Sequence, residues 1–431
     1  MLKARTIEII KSTAPILKEH GETLTRHFYK RMFTHNPEVA AFFNPTNQHA
    51  GLQQKALAAA ICAYAANIDN LATLGGAVEL IAQKHASYRI SAEQYPIVGS
   101  NLLASIREVL GEGATDEIIN AWGEAYGMLA DILIAREKQI YINQAAAKNG
   151  WEGFKLFRVI KKEAESKTIT SFYLKPVSDK NLPCCEQGEC DEGVPLFKAG
   201  QYLTVRMPHP KTGTTMRNYS ISSMPGENYF RISVKKESDG FVSNALHQQI
   251  QEGDVIEIAP PCGDFLFETT KDKKRPLVFI SGGIGITPVL SMLLTALQED
   301  SKRPIYFIHG ALNSRTHAFR DLVNELGSQH PRIKIHYCYS DATPEDRLKP
   351  TFHSEGFIDS ALLEKLLPEQ DADYYFCGPK PFMALIYQHL LKWNIPTSQI
   401  HFEFFGPNQD ISSLSTAKVG KSDGCCVKLE F

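Results

Sequence analysis

The chain has 431 residues, of which 43% are hydrophobic and 22% charged, and its formal net charge is −2. That length exceeds what one ordinary core supports, so two or three domains are expected. The balanced charge gives no footprint for nucleic acid or an anionic membrane surface. The first residues, MLKARTIEIIKSTAPILKEHGE, break their apolar run with Lys, Arg, Glu and His, unlike a secretory signal. No later stretch approaches the roughly 18 consecutive apolar residues of a membrane helix. A cytoplasmic location and a monomer are the expectations. The nine cysteines then need not form a disulfide framework. Cys184, Cys185 and Cys190, like Cys425 and Cys426, lack paired CxxC spacing and read as reduced loop thiols.

Up to about residue 150 apolar residues recur with helical spacing. The pattern predicts helices over 3–20, 22–35, 52–68, 76–88, 93–110 and 115–145, with breaks at Pro37 and Asn44-Pro45. From Trp151 the texture turns to β. Phe157–Ile160, Ile169–Leu174 and Tyr202–Val205 are rich in branched and aromatic residues and divided by Gly, Pro and Asp clusters. An antiparallel sheet or barrel is predicted there. After about 272, strand-like Pro276–Ile280, Ile305–His309, Ile333–Tyr337 and Tyr374–Cys377 alternate with helical stretches, the signature of a parallel α/β sheet. The tail after Gly406-Pro407 is polar and Ser-rich.

In the helical third, Val78, Ile81 and His85 share one face. A histidine in such a stripe is, taken alone, more often a core residue than a metal ligand. Its surroundings change that balance. Phe28, Tyr29, Met32 and Phe33 lie on one predicted helix, Phe42-Phe43 follow the Pro37 break, and Gln53 and Leu57 are four apart on the next. A flat macrocycle needs apolar walls, one axial nitrogen donor and a few polar groups opposite it.

The combination resembles the globin domain of flavohaemoglobins over nearly all of 1–145. The resemblance implies haem b, with His85 as proximal iron ligand and Tyr29 as hydrogen-bond donor to bound oxygen. It places Gln53 and Leu57 on the distal side and Phe43 against the porphyrin. Tyr95 and Glu137 match the family's proximal Tyr and Glu, and Lys84 its proximal lysine.

Downstream, Arg217-Asn218-Tyr219-Ser220 and the Gly240–His247 stretch with Val242 and Ser243 resemble the FAD motifs of the ferredoxin-reductase superfamily, and Tyr202 is carried over with them. An isoalloxazine needs aromatic stacking and the linking phosphates need a cation and donors. Strand Pro276–Ile280 runs into Gly282-Gly283-Ile284-Gly285-Ile286-Thr287-Pro288. Glycines let a pyrophosphate approach, while Thr287 suits a helix N-cap and Pro288 the first helical position. An acidic residue about 20 positions on is not evident. Cys377-Gly378-Pro379 ends a later strand and resembles the superfamily's nicotinamide motif. Glu403, Phe404, Phe405, Gly406 and Pro407 match the family's closing FAD-contacting segment, in which the Glu tunes the flavin and the next aromatic stacks on it. The likeness divides the chain into a haem-binding globin domain at 1–147, an FAD-binding β-barrel at 151–268, an NAD(P)H-binding α/β domain at 272–407 and a polar tail at 408–431. Pro183–Pro195 and the tail depart from the family pattern.

The implied activity is nitric oxide dioxygenation, with O2, NO and NAD(P)H as small-molecule partners and FAD and haem as carriers. The alternatives are a haem-based O2 or NO carrier or sensor with a maintenance reductase, and an alkyl hydroperoxide or ferric reductase. No segment remains for a sensor's output module.

Overall fold

The computed structural model describes residues 2–43, 51–177, 193–268, 275–299, 302–349, 351–367 and 370–406. Pro407, the tail from 408 and all five cysteines of the two clusters lie outside them.

The chain opens with helix α1 (Ala4–His35), a 3-10 turn (Pro37–Phe42), α2 (Leu52–Ala66), α3 (Gly75–Ser87), α4 (Gln94–Leu110) and α5 (Asp116–Ala146). The two helices expected over 3–20 and 22–35 are one. Pro15 sits on the exposed side of α1, where water can serve the carbonyl that loses its partner. Gly21 is a contact rather than a break, since a Cβ there would stand 3.3 Å from the Ala58 methyl of α2. Pro37 ends α1 as its fixed φ and missing N–H require, and Thr115 caps α5 by accepting from Ile118 N–H. Ile10, Leu17, Leu24, Phe28, Met32, Ile106 and Trp122 form the shared core.

Six antiparallel strands follow: β1 (Lys155–Ala164), β2 (Ile169–Pro176), β3 (Tyr202–His209), β4 (Gly213–Ser220), β5 (Phe230–Lys235) and, after α6 (Phe241–Gln248), β6 (Val255–Cys262). Their order is β4-β3-β6-β1-β2-β5. A bridge from Ile221 to Ile232 joins the two edges, so the sheet curls round a core that includes Phe157, Phe172, Leu203, Phe230, Ile232 and Ile258.

The last unit is parallel throughout: β7 (Leu277–Gly282), α7 (Ile286–Gln298), β8 (Ile305–Ala311), α8 (Arg320–Gln329), β9 (Ile333–Tyr339), α9 (Pro344–Leu348), β10 (Ser354–Glu355), α10 (Ser360–Leu366), β11 (Asp373–Cys377), α11 (Lys380–Lys392) and β12 (Ile400–Glu403). Every residue of β7 and β11 is buried, as helices on both faces require. The order β10-β9-β8-β7-β11-β12 reverses direction between β7 and β11. Sheets of this kind open their ligand crevice at that point, outside the carboxyl ends of the strands.

The helical unit is not tethered loosely. Ala82, Ala86, Tyr95, Leu133 and Ile140 share one apolar cluster with Tyr202 and Cys262 of the barrel.

Candidate active site

Helix α3 presents His85 with its ring about one-third exposed, at 36%. Its Nδ1 lies 2.8 Å from Glu137 Oε1 and 3.0 Å from the Tyr95 hydroxyl. The Tyr95 hydroxyl donates to the same Glu137 oxygen at 2.5 Å. Glu137 is buried on α5 and Tyr95 on α4, so three helices set the imidazole. A carboxylate at Nδ1 holds the proton there and leaves the Nε2 lone pair outward, the arrangement an axial ligand needs. Tyr29 is buried beside Phe28, Phe33 and Phe43, with ring centroids 5.0, 5.9 and 5.6 Å away. Burial alone pushes its phenol well above the ordinary range, so it stays a donor. Phe33, Phe43 and Leu57 remain only partly covered at the edge of this core, which suits apolar walls that a planar group would complete. Gln53 on α2 is half-buried and Gln54 beside it is buried.

The flavin motif residues come together on neighbouring strands. Tyr202 of β3 stands opposite Ser220 of β4 and Cys262 of β6, and Asn218 opposite Thr204. Arg217 donates to the Met216 carbonyl and to Thr215 Oγ, at 2.6 and 3.1 Å, and lies near the Tyr88 phenol. Tyr219 is partly exposed on the same strand. Ser243 is bound within the turn that starts α6, donating to the Gly240 carbonyl and accepting from Glu237 N–H. Val242 is almost wholly buried, so only its backbone can face a ligand.

At the sheet's carboxyl edge three motifs that are far apart in sequence meet. Ser281 of β7 and Glu403 of β12 both pair with Cys377 of β11. A Cβ on Gly285 would stand 2.2 Å from the Cys377 carbonyl oxygen, so only glycine lets the two loops touch. Gly283 has φ +53° and open space around its Cα, as a backbone cradle for a phosphate needs. Thr287 is not the N-cap: Gly285 holds that place and the Thr287 hydroxyl donates back to Ile284 O. Ile286, Thr287 and Pro288 turn their side chains into the core, leaving backbone alone at the crevice. Cys377 is fully buried, its thiol is raised well above the ordinary range by that burial, and it donates to Glu403 O at 3.4 Å. Gly378 and Pro379 follow it at the same edge, and a Cβ on Gly282 would touch the Pro379 ring at 3.1 Å.

Glu403 is where the units converge. Its carboxyl is buried, Oε2 has no hydrogen-bond partner among the described residues, and burial pushes it up to about 7. Asp264 pushes in the same direction and the Lys84 ammonium opposes. Lys84 itself stands 4.9 Å above the Tyr202 ring. Phe404 does not offer a free face: it packs into the α/β core, whereas Phe405 is 44% exposed and is the aromatic available for stacking. Gly406 has φ +138°.

Three family models match in chain order: Globin over 26–133, Oxidoreductase FAD-binding domain over 192–267 and Oxidoreductase NAD-binding domain over 279–388. A flavohemoprotein of Halalkalibacterium halodurans is 48% identical over 419 residues, covering 96% of this chain and 98% of that protein. The chain belongs to the flavohaemoprotein family. A flavohemoprotein of Rhodopirellula baltica is 46% identical, with 96% and 100% covered. The crystal structure of a flavohemoglobin from Malassezia yamatoensis, with bound FAD and heme, aligns with a TM-score of 0.80 at 26% identity, over 94% of this chain and 100% of that one. As a flavohaemoprotein the chain is an oxidoreductase that joins a haem-type globin to FAD- and NAD-binding units. No described helix is long and apolar enough to cross a membrane.

Several residues of this flavohaemoprotein's site carried no signal in the sequence. Gln83 and Ser87 flank His85 yet face the barrel: Gly263 N–H donates to Gln83 Oε1 at 3.1 Å and Asn218 Nδ2 to Ser87 Oγ at 3.3 Å. His309 of β8 shares a hydrogen bond of 2.8 Å with Ser281 and lies against His317, with ring centroids 4.7 Å apart and the planes tilted by 32°. Spacing could not reveal these, because the partners of Gln83 and Ser87 come from another unit and that of His309 from a neighbouring strand 28 residues away. The paired histidines of His309-Gly-Ala-Leu-Asn-Ser-Arg-Thr-His317 are the one clue in the chain.

Proposed function

We propose that this flavohaemoprotein is a nitric oxide dioxygenase. When bound, haem, flavin and nicotinamide supply the redox chemistry, in which two NO and two O2 with one NAD(P)H give two nitrate, one NAD(P)+ and one proton. The observation that carries the reading is the His85–Glu137–Tyr95 constellation, built by three helices that pack against the flavin barrel.

Each group has a defined task. Glu137 and Tyr95 hold the Nδ1 proton, so His85 offers Nε2 to haem iron with added basicity, which favours oxygen activation over storage. Tyr29 donates a hydroxyl hydrogen bond toward oxygen, and the family likeness puts Gln53 on the same distal side. Phe43 and Leu57 exclude water. Arg217 answers the flavin's phosphates, Tyr202, Tyr219 and Ser220 its ring system, and the backbone of Val242 and Ser243 its linker. Lys84 and Glu403 oppose each other at the flavin, and the Glu403 carboxyl holds or releases a proton near neutrality. Phe405 and Gly406 close over the same place. Gly283, Ile284 and Gly285, with the backbone of Ile286–Pro288, take the dinucleotide's phosphates, and Cys377, Gly378 and Pro379 border its nicotinamide.

Purified protein given NAD(P)H, O2 and NO should consume NO and accumulate nitrate, one NAD(P)H disappearing per two nitrate. Reduced haem that binds O2 without nitrate formation would mark a carrier. NO-independent consumption of a hydroperoxide or ferric salt at higher rate would mark a reductase. Either result removes the dioxygenase assignment.

A further inference from the structure

The helix that carries His85 is joined to the flavin barrel by a relay of side chains, Arg89, Tyr141 and Gln144, that belong to no cofactor motif. Arg89, two residues beyond the end of α3, has φ +59°, a left-handed conformation that L side chains adopt only when the surroundings hold them there. Its guanidinium lies 4.0 Å from the centre of the Tyr141 ring and donates to Gln144 Oε1 at 2.8 Å. The Tyr141 hydroxyl returns to the same turn, donating to Ile90 O at 2.6 Å. Gln144, near the end of α5, spends its amide on the barrel: Nε2 donates to Pro261 O at 3.0 Å and to Cys262 Sγ at 3.1 Å. Cys262 is fully buried and stands directly opposite Tyr202. Gly263 follows at φ +121°, where a Cβ would meet the Tyr202 ring at 3.0 Å. The relay thus ends at the strand that supports the ring beneath Lys84.

Direction matters in this chain of contacts. A glutamine serves because its carbonyl accepts from the cation and its amide donates to a carbonyl; a carboxylate or an amine could do only half. The other polar links across the junction are single hydrogen bonds at Gln83 and Ser87 and the Lys84 ammonium over Tyr202, beside the shared apolar cluster. A planar guanidinium stacked on an aromatic and bonded sideways is stiff.

The geometry points to Arg89 and Gln144 as positioning residues that fix the His85 helix against the flavin barrel, and so set the rate at which flavin electrons reach the haem without affecting flavin reduction by NAD(P)H. The inference rests on the reading that this protein passes electrons from flavin to haem. In the holoenzyme, Gln144→Leu and Arg89→Gln should each leave anaerobic flavin reduction by NADH within about two-fold of the parent. Haem reduction, followed in the Soret region of the same stopped-flow trace, should slow roughly ten- to hundred-fold, as small misplacements of reacting groups do. The double variant should be no slower than the worse single, because both cut one linkage. Flavin emission, which nearby haem quenches, should rise in all three. Haem reduction at the parent rate overturns the inference, and so does equal slowing of both steps with loss of bound FAD. Should the parent reduce no haem at all, the dioxygenase reading fails on its own account. Emission then decides the remaining question, and variants as dark as the parent exclude the positioning role.

Discussion

His85 shows how much chemistry one side chain can acquire from two neighbours. Fixing its proton on Nδ1 through Glu137 leaves the other nitrogen free for the iron that the proposed function assigns to it, and outer-shell partners of that kind are worth about ten- to a hundred-fold in activity. On the proposed function Tyr29 serves the opposite, oxygen-binding side. Replacing it with Phe removes one hydrogen bond to a polarised ligand, about 1.5–3 kcal/mol. Oxygen dissociation measured by flash photolysis should accelerate by roughly ten-fold or more; an unchanged rate takes Tyr29 out of that role. Glu403 makes a pH-dependent prediction. Its folded carboxyl titrates near 7 against an ordinary 4.5, so folding favours the neutral acid. Its contribution to stability is therefore lost as pH rises from about 4.5 to about 7, at up to about 1.4 kcal/mol per pH unit. Glu403→Gln should raise the melting temperature more at pH 8 than at pH 5. An equal change at both would show that the carboxyl is ionised throughout.

Elements are placed by contacts that their own periodicity does not record. The α1 pattern reads as two helices divided at Gly21, a poor interior residue, yet close approach to Ala58 of α2 makes Gly21 the residue that fits. The Gly-rich turn after β7 was legible as a turn, but the tertiary reason for Gly285 is the Cys377 carbonyl 2.2 Å from its missing Cβ. Gly285→Ala must push the two loops apart, at about 1–3 kcal/mol. The KM for NAD(P)H in flavin reduction should rise at least several-fold while the haem spectrum stays that of the parent. A KM equal to the parent's would mean the loops separate freely.

Across the whole molecule, charge and burial are unevenly shared. The α/β unit hides several neutral imidazoles: burial lowers His309 to about 3 and His336 to about 4, and lowers His317, His353 and His401 as well. Each must gain a proton to unfold in acid. The stability tied to them is complete above about 6.5 and falls as pH drops toward those values, by up to about 1.4 kcal/mol per unit for a fully buried ring. Glu403 pulls the other way, but it is one carboxyl against this set of imidazoles. Hydrogen exchange at pH 5 should open β8 and β9 well before α4 and α5, while at pH 7.5 the difference narrows. Uniform exchange at both pH values would remove the histidines as the cause.

What the chain reveals unaided is whatever repeats locally or is written contiguously. Helical spacing up to about 150, β texture to about 268 and strand–helix alternation beyond reproduce the three architectures, and the Gly-rich and Cys-Gly-Pro stretches fall at the carboxyl edge of the parallel sheet. The dependence of one unit on another is absent from any window of sequence. Nothing near Glu403 announces Lys84, Phe404 and Phe405 look alike until one is buried, and neither Gln144 nor Arg89 belongs to a motif. Hydrogen bonds and burial act over a few ångströms of space, not of chain, so only folding decides which residues separated by a hundred or more positions become neighbours.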